Sequence, residues 1–150
     1  MACMEKPKIV RQEIGEDGLV VSPQDRPTDY YDRYVKAKQH LAAGEAGIAI
    51  RIYADLVRKE PASVDPYVGL AACHTWLGNF QAAVEACRKA IQIDPQVVAP
   101  WIALGTAWLR LGQADQAAAG YRAALALDGD SGDAHWGMVL ACAELGEVRE

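Results

Sequence analysis

Few side chains in this sequence are suited to chemistry, and a pair of histidines is the first candidate. His40 and His74 are separated by 34 residues, which is also the spacing of several glycines in the chain. If units of that length repeat, the two imidazoles occupy equal positions on neighbouring helices and form a candidate metal pair. A histidine within an apolar helical pattern is more often a packed structural residue, so we expect two packed histidines and no metal.

The four cysteines are the second candidate. Cys3, Cys73, Cys87 and Cys142 include no pair with the Cys-x-x-Cys spacing of a metal or redox site. The last three lie within apolar helical patterns, where cysteine behaves as a small hydrophobic residue. We therefore expect reduced structural thiols, with neither a disulfide nor a metal site.

The acidic stretch "DGDSGD", from Asp128 to Asp133, is the third candidate because it resembles the start of a calcium loop. An EF-hand loop needs Asp or Asn at its fifth place, Gly at its sixth and Glu at its twelfth. Counted from Asp128, these places hold Gly132, Asp133 and Val139, so the motif fails. We expect a turn between repeats in which Asp133 caps the next helix.

No other known catalytic pattern is present in the sequence. It contains no glycine-rich phosphate loop and no Gly-x-Ser-x-Gly elbow. The net charge of −5 and the pI of about 5.2 argue against binding to nucleic acid or to an anionic membrane. No apolar stretch has the length of a signal peptide or a membrane span. We predict a soluble, cytoplasmic protein that is not an enzyme and holds no cofactor.

The elements that would position these side chains follow from a 34-residue period. Leu-Gly pairs end at Gly78, Gly112 and Gly146, and a weaker Ala-Gly pair ends at Gly44. Apolar residues recur at helical spacing before and after each pair. Glycine ends a helix readily because it enters the left-handed conformation at little cost. The pattern predicts two helices in each unit, with a glycine turn between them.

The second unit shows the predicted signals at the ends of its helices. Asp65 and Pro66 are suited to the start of the first helix, and Asn79 to the cap of the second. Asp94 and Pro95 then stop the second helix, because proline disfavours a helical residue before it. Small residues on the helix faces, such as alanine, would let the two helices approach closely.

This pattern resembles the tetratricopeptide repeat, a helix–turn–helix unit of 34 residues. The third unit matches its consensus best, through Trp101, Leu104, Gly105, Trp108, Leu111, Gly112, Ala117, Tyr121 and Ala124. The second unit matches through Tyr67, Leu70, Gly78, Phe80, Ala83, Ala90 and Pro95. The first unit departs from it, with Arg33 and Lys36 where Trp and Leu are usual, but it keeps Gly44, Ala49, Tyr53 and Pro61.

The resemblance implies an all-α, right-handed solenoid of three full repeats and a final half repeat. The repeats would span residues 30–63, 64–97 and 98–131, followed by a partial unit at 132–150. Residues 1–29 would form an N-terminal arm outside the array. Two β-branched runs around a Gly-Glu-Asp-Gly segment leave two alternatives for this arm, a flexible segment or a short hairpin.

The resemblance also implies a groove, because the first helices of successive repeats line the concave face in this family. The residues expected to line the groove are Tyr34, Lys38, Val68, Ala72, Trp76, Ile102, Thr106, Leu109, Trp136 and Leu140. This set is mostly apolar, which leaves two interpretations open. The residues pack against neighbouring helices or the arm, or they form an exposed surface that accepts an apolar ligand segment.

One branch of the family binds acidic chaperone tails through a clamp of Lys, Asn and Arg. The positions that match this clamp hold Tyr34, Lys38, Gly69, Ala99 and Ala103, of which only Lys38 could serve. We therefore expect a protein or peptide partner with an apolar segment, bound by an adaptor, assembly factor or chaperone. The alternatives are the N-terminal array of a longer enzyme, such as a glycosyl- or sulfotransferase, and a self-assembly module.

The last helix is expected to span Asp133 to Leu145, with few residues after it to cover its apolar side. Four side chains would face the place where a second helix of this repeat should lie: Met138, Val139, Cys142 and Leu145. Burial of the larger ones would contribute roughly 1.5–3 kcal/mol each. We expect either self-association through this helix or a chain that belongs to a longer protein.

Overall fold

The structure, a computed structural model, describes residues 27–149, and its side chains from residue 29 to residue 146. The hairpin predicted within the arm lies outside the described residues. Seven helices follow one another in the described part: α1 (Pro27–Ala42), α2 (Ala46–Lys59), α3 (Asp65–Trp76), α4 (Phe80–Ile93), α5 (Val98–Arg110), α6 (Ala114–Leu127) and α7 (Gly132–Arg149). The part of the chain from 27 to 149 contains no strand, so the predicted all-α class is confirmed. None of its helices has the length and apolar character needed to cross a membrane.

Three glycines turn the chain between the two helices of each full repeat. Gly44, Gly78 and Gly112 have φ values of 83°, 79° and 76°, in the left-handed region that only glycine enters cheaply. At the second of these turns, the N–H of Asn79 donates to the carbonyl of His74 over 2.8 Å. This bond closes a Schellman turn, which satisfies a carbonyl left free at the end of the helix.

The predicted helix caps are only partly correct. Asn79 occupies the N-cap position of α4, but its side chain makes no capping hydrogen bond, and Asp65 lies inside α3 rather than before it. At α7 the capping side chain is that of Ser131, whose hydroxyl accepts from the N–H of Ala134 at 3.4 Å. Asp133 lies in the first turn of α7, where its charge still favours the helix dipole.

Successive repeats are joined by a side-chain bond that recurs at equal repeat positions. The indole N–H of Trp101 donates to the carbonyl of Pro95 over 2.9 Å. One repeat later, Nε2 of His135 lies 2.7 Å from the carbonyl of Gly129. Because a carbonyl only accepts, Nε2 of this histidine must carry the proton. Each bond ties the start of a first helix to the end of the preceding repeat.

The core consists mainly of small residues, with two large tyrosines among its members. A Cβ added to Gly69 would lie 2.4 Å from the ring of Tyr53, and one added to Gly137 would lie 2.3 Å from the ring of Tyr121. The corresponding place in the second repeat holds Cys87, and the residue that corresponds to these glycines is Ala103. Glycine is therefore found where a second helix presents tyrosine, and alanine where it presents cysteine. The smaller residue of a first helix thus lies opposite the larger residue of a second helix, as close packing requires.

The last helix differs from its prediction. α7 continues through Gly146 to Arg149 instead of ending at Leu145, and Gly146 has no positive φ. The chain therefore makes no glycine turn at Gly146, unlike at Gly44, Gly78 and Gly112. A helical glycine costs only about 1 kcal/mol relative to alanine, and the helix continues through it.

Candidate binding groove

The first helices of the repeats form the inner layer of a curved array. α1 contacts α3, α3 contacts α5, and α5 contacts α7, whereas α2, α4 and α6 make no contact with one another. A layer whose members touch is shorter than one whose members are spread apart. The array therefore curves with α1, α3, α5 and α7 on its concave face, in agreement with the prediction.

Three cavities follow one another along this concave face. The N-terminal cavity, of about 340 Å³, lies between α1 and α3, and the central cavity, of about 630 Å³, lies between α3 and α5. The C-terminal cavity, of about 580 Å³, lies between α5 and α7. Leu41 and Ala72 line both of the first two cavities, and Thr106 and Arg110 line both of the last two. The cavities are thus parts of one continuous groove.

All ten residues predicted for the groove line at least one of the three cavities. Half of them are exposed, namely Lys38, Ala72, Trp76, Trp136 and Leu140. The other half are partly buried, namely Tyr34, Val68, Ile102, Thr106 and Leu109. Some members of the apolar set are thus packed and others are exposed. Binding of an apolar ligand by the exposed members stays a prediction.

Two tryptophans are the largest exposed apolar side chains of the groove. Trp76, at the end of α3, is 64% exposed and lines the central cavity. Trp136, near the start of α7, is 65% exposed and lines the C-terminal cavity. Ile102 differs from them, because it packs against the core cluster that contains Tyr121. Ile102 is therefore less accessible to a ligand than the two tryptophans.

Sequence reasoning missed two residues on the floor of the groove. Tyr53 lines the N-terminal cavity and Tyr121 lines the C-terminal cavity, although both belong to second helices. Their rings reach the concave face because the facing residues of the first helices, Gly69 and Gly137, have no side chain. One signal in the sequence could have revealed them: Gly69 follows Tyr53 at the same separation as Gly137 follows Tyr121.

The two threonine hydroxyls that line the groove are already paired. The hydroxyl of Thr75 donates to the carbonyl of Ala71 over 2.8 Å. The hydroxyl of Thr106 lies 3.0 Å from the carbonyl of Ile102 and 3.1 Å from the hydroxyl of Tyr121. These two hydroxyls are therefore already engaged when a ligand enters the groove.

Four charged residues line the groove, two of each sign. The ammonium group of Lys38 lies 5.7 Å from the ring centre of Tyr34, a cation–π contact. Arg110 lines the central and C-terminal cavities, and Asp133 and Glu144 line the C-terminal cavity. The guanidinium of Arg110 has neither an ion pair nor a hydrogen bond among residues 29–146. The Lys38 end of the groove is thus positive, and the α7 end carries two carboxylates.

The two histidines belong to no group of three or more metal-binding side chains in the described part of the chain. Nδ1 of His40 lies 2.6 Å from a carboxylate oxygen of Glu45, so this imidazole is used locally. Nδ1 of His74 is buried without a hydrogen-bond partner, and burial lowers the pKa of His74. Both side chains are partly buried rather than fully packed in the core.

The described cysteines are free thiols in two environments. Cys73 and Cys87 are fully buried, as predicted for structural thiols, and burial raises the pKa of Cys73 to about 11 and that of Cys87 to about 12. Cys142 is a free thiol exposed on α7, so it is not buried as the other two are. Cys3 lies outside the described residues.

A curved array of helix pairs with a 34-residue period defines an α-solenoid, the class of protein built from stacked helical repeats. Models of the tetratricopeptide repeat match residues 64–97 and residues 102–150. The chain therefore belongs to the tetratricopeptide repeat family, which confirms the resemblance seen in the sequence.

A curated relative and two solved structures are similar to parts of this chain. The SGT1 homolog of rice, Oryza sativa subsp. japonica, is 32% identical over 62 residues, which are 41% of this chain and 17% of that protein. This chain thus spans only a small part of its curated relative.

The two solved structures share the fold at low sequence identity. The tetratricopeptide domain of Sgt2 from Aspergillus fumigatus has a TM-score of 0.78, with 21% identity over 83% of each chain. The first such domain of Spaghetti (RPAP3), solved with the HSP90 peptide SRMEEVD, has a TM-score of 0.75, with 17% identity over 81% of this chain and 96% of that chain.

Proposed function

We propose that this chain is a non-enzymatic protein-interaction module that holds an apolar peptide or helix of another protein in its concave groove. The observation that carries the proposal is the continuous groove itself, with Trp76 and Trp136 exposed in adjacent cavities. Binding energy at protein interfaces is concentrated in a few desolvated residues, among which tryptophan is enriched. Contiguous exposed apolar surface of this kind commonly marks a binding site.

The related domain solved with an HSP90 peptide supports peptide capture as the mode of action. The ligand here should nevertheless differ, because only Lys38 among the five positions of the chaperone-tail clamp carries a cation. The place of one clamp residue is Gly69, where even a Cβ would collide with the ring of Tyr53. An apolar segment suits this groove better than a chain terminus rich in carboxylates.

A second candidate function, self-assembly through α7, is favoured by one observation. Val139 is 58% exposed and Cys142 is exposed, so part of the outer face of α7 is open to a second copy. Met138 and Leu145 were expected on this face but do not contribute to it. They pack instead against the cluster formed by α6 and α7. An array that belongs to a longer enzyme remains a prediction, which the full gene sequence would test.

The proposed function is tested by mapping a bound peptide on the full chain. Random peptides of about 15 residues, roughly four helical turns, are displayed between linkers and selected on the protein. Backbone NMR signals of the labelled chain are then followed during titration with a selected peptide. We expect the largest shifts at the groove positions of α3, α5 and α7. Shifts confined to the outer faces of α4 and α6 would contradict the proposal. Shifts confined to the exposed face of α7 would favour self-assembly.

A further inference from the structure

The groove holds one charged group whose position divides its apolar surface. Arg110 lies in the last turn of α5 and lines both the central and the C-terminal cavity. Thr106, one helical turn earlier, lines the same two cavities. These two residues therefore form the ridge between the cavity that contains Trp76 and the cavity that contains Trp136.

Of the two side chains on this ridge, only Arg110 has hydrogen-bond donors available to a ligand. The hydroxyl of Thr106 is already bonded to the carbonyl of Ile102 and to the hydroxyl of Tyr121. The guanidinium has no hydrogen bond or ion pair within residues 29–146. A ligand that fills both cavities must cross the ridge and remove water from this cation. A buried cation without a partner is costly, so a complementary ligand must supply an acceptor there.

We propose that the groove selects an apolar segment with one internal Asp or Glu, whose carboxylate is received by Arg110 on the ridge between the two cavities. The proposal rests on the function proposed above and adds the charge of the ligand. Arginine suits this role because its planar fork of N–H donors matches a carboxylate with two parallel bonds.

The ligand carboxylate is that of a side chain rather than a chain terminus, because apolar cavities continue on both sides of Arg110. A terminus held at the ridge would leave one of the two cavities empty. The carboxylate of Glu144 lines the C-terminal cavity, at the repeat position equivalent to Arg110. Like charges repel, so the ligand acid lies on the Trp76 side of the ridge. Arg110 is also not among the positions of the chaperone-tail clamp, so the recognition would be of a different kind.

The test selects ligands from the linker-flanked peptide library with three forms of the full chain. The wild type should enrich apolar peptides that carry Asp or Glu at one fixed place between apolar residues. Arg110→Glu should enrich Lys or Arg at that place. The control is Arg122→Glu on α6, which makes the same change at an exposed position that lines none of the three cavities. It should select the same peptides as the wild type.

One selected peptide is then measured with its carboxylate and with the corresponding amide. For the wild type, loss of the carboxylate should weaken binding about tenfold, as for one charge-assisted pair desolvated on binding. For Arg110→Gln, both peptides should bind with equal affinity. Circular dichroism establishes that the variants are folded, which is expected for an exposed position.

Several results would overturn the proposal. One is a set of selected peptides with no Asp or Glu at a fixed position. Another is an equal loss of affinity in the wild type and in Arg110→Gln when the carboxylate of the peptide is replaced by the amide. A third is enrichment of acids only at the free end of peptides displayed with an open C-terminus. The proposed function is tested separately by Trp136→Ser. If this variant weakens binding while the acid is dispensable, the groove functions without the charge contact; if it has no effect, the groove itself is not the site.

Discussion

Cys87 shows how burial of a single side chain links stability to pH. Its side chain is fully buried, and burial raises its pKa from the ordinary value of 9.0 to about 12. In the unfolded chain the thiol ionises near its ordinary pKa, whereas in the folded chain it stays neutral to much higher pH. The contribution of this thiol is therefore complete below pH 9 and is lost as pH rises toward 12.

We expect the free energy of unfolding to fall with pH above 9, with a contribution of up to about 1.4 kcal/mol per pH unit from Cys87. The measurement is urea unfolding at a series of alkaline pH values, compared between the wild type and Cys87→Ala. The variant should lose stability less steeply in this range. Equal slopes in the wild type and in Cys87→Ala would contradict the account.

The pairing of Tyr53 with Gly69 gives a second prediction at the scale of residues. Gly69→Ala would place a methyl group 2.4 Å from the ring of Tyr53, and such overpacking costs about 1–3 kcal/mol. The double variant Gly69→Ala with Tyr53→Cys reproduces the natural pair Ala103 and Cys87 of the second repeat. We expect the double variant to be more stable than the sum of its single changes by about 1–2 kcal/mol. Additive losses in urea unfolding would show that the two sites are not coupled.

Two glycines in similar sequence positions have opposite roles at the scale of helices. Gly112 turns the chain between α5 and α6 with φ of 76°, whereas Gly146 lies inside α7. We expect Gly112→Ala to destabilise the protein by about 1 kcal/mol, because a Cβ is strained in the left-handed region. Gly146→Ala should stabilise it by up to about 1 kcal/mol, since no atom lies within 4 Å of the added Cβ and alanine favours the helix. Thermal unfolding measures both, and changes of equal sign would contradict the assignment.

The period of the chain predicted the helices well, because the turn glycines and the apolar spacing act locally. The same reasoning failed at Gly146, which lies inside α7 although a Leu-Gly pair ends there. It also failed for Asn79, whose residue type suits a cap but whose side chain makes none. Local signals predict where a helix can end, whereas tertiary contacts decide whether it does.

Groove positions could be assigned because residues at equal places in a repeat face the same way. Exposure could not be assigned, since it depends on the residue presented by the neighbouring second helix. Ile102 is partly covered by the cluster around Tyr121, while Trp136 in the next repeat is open. Ile102→Glu should therefore weaken folding as well as binding and is a poor probe of the groove.

At the scale of the whole molecule, the helices contact only their neighbours along the array. Stability in such proteins is approximately a sum of repeat and interface contributions, so the concave surface forms without a closed core. The chain can therefore present a long groove whose apolar side chains stay exposed between rigid helices. The central claim is that this groove, rather than the outer helices, binds the partner.

The most direct test of this claim is the affinity of one library-selected apolar peptide for Trp136→Ser and for Ile48→Ser, measured by calorimetry. Both residues are exposed and apolar, but Ile48 lies on α2 and lines none of the three cavities. Both variants should keep the stability of the wild type within about 0.5 kcal/mol. We expect Trp136→Ser to weaken binding by at least about 2 kcal/mol and Ile48→Ser to leave it unchanged. Equal affinities for Trp136→Ser and the wild type, or a loss only with Ile48→Ser, would contradict the claim.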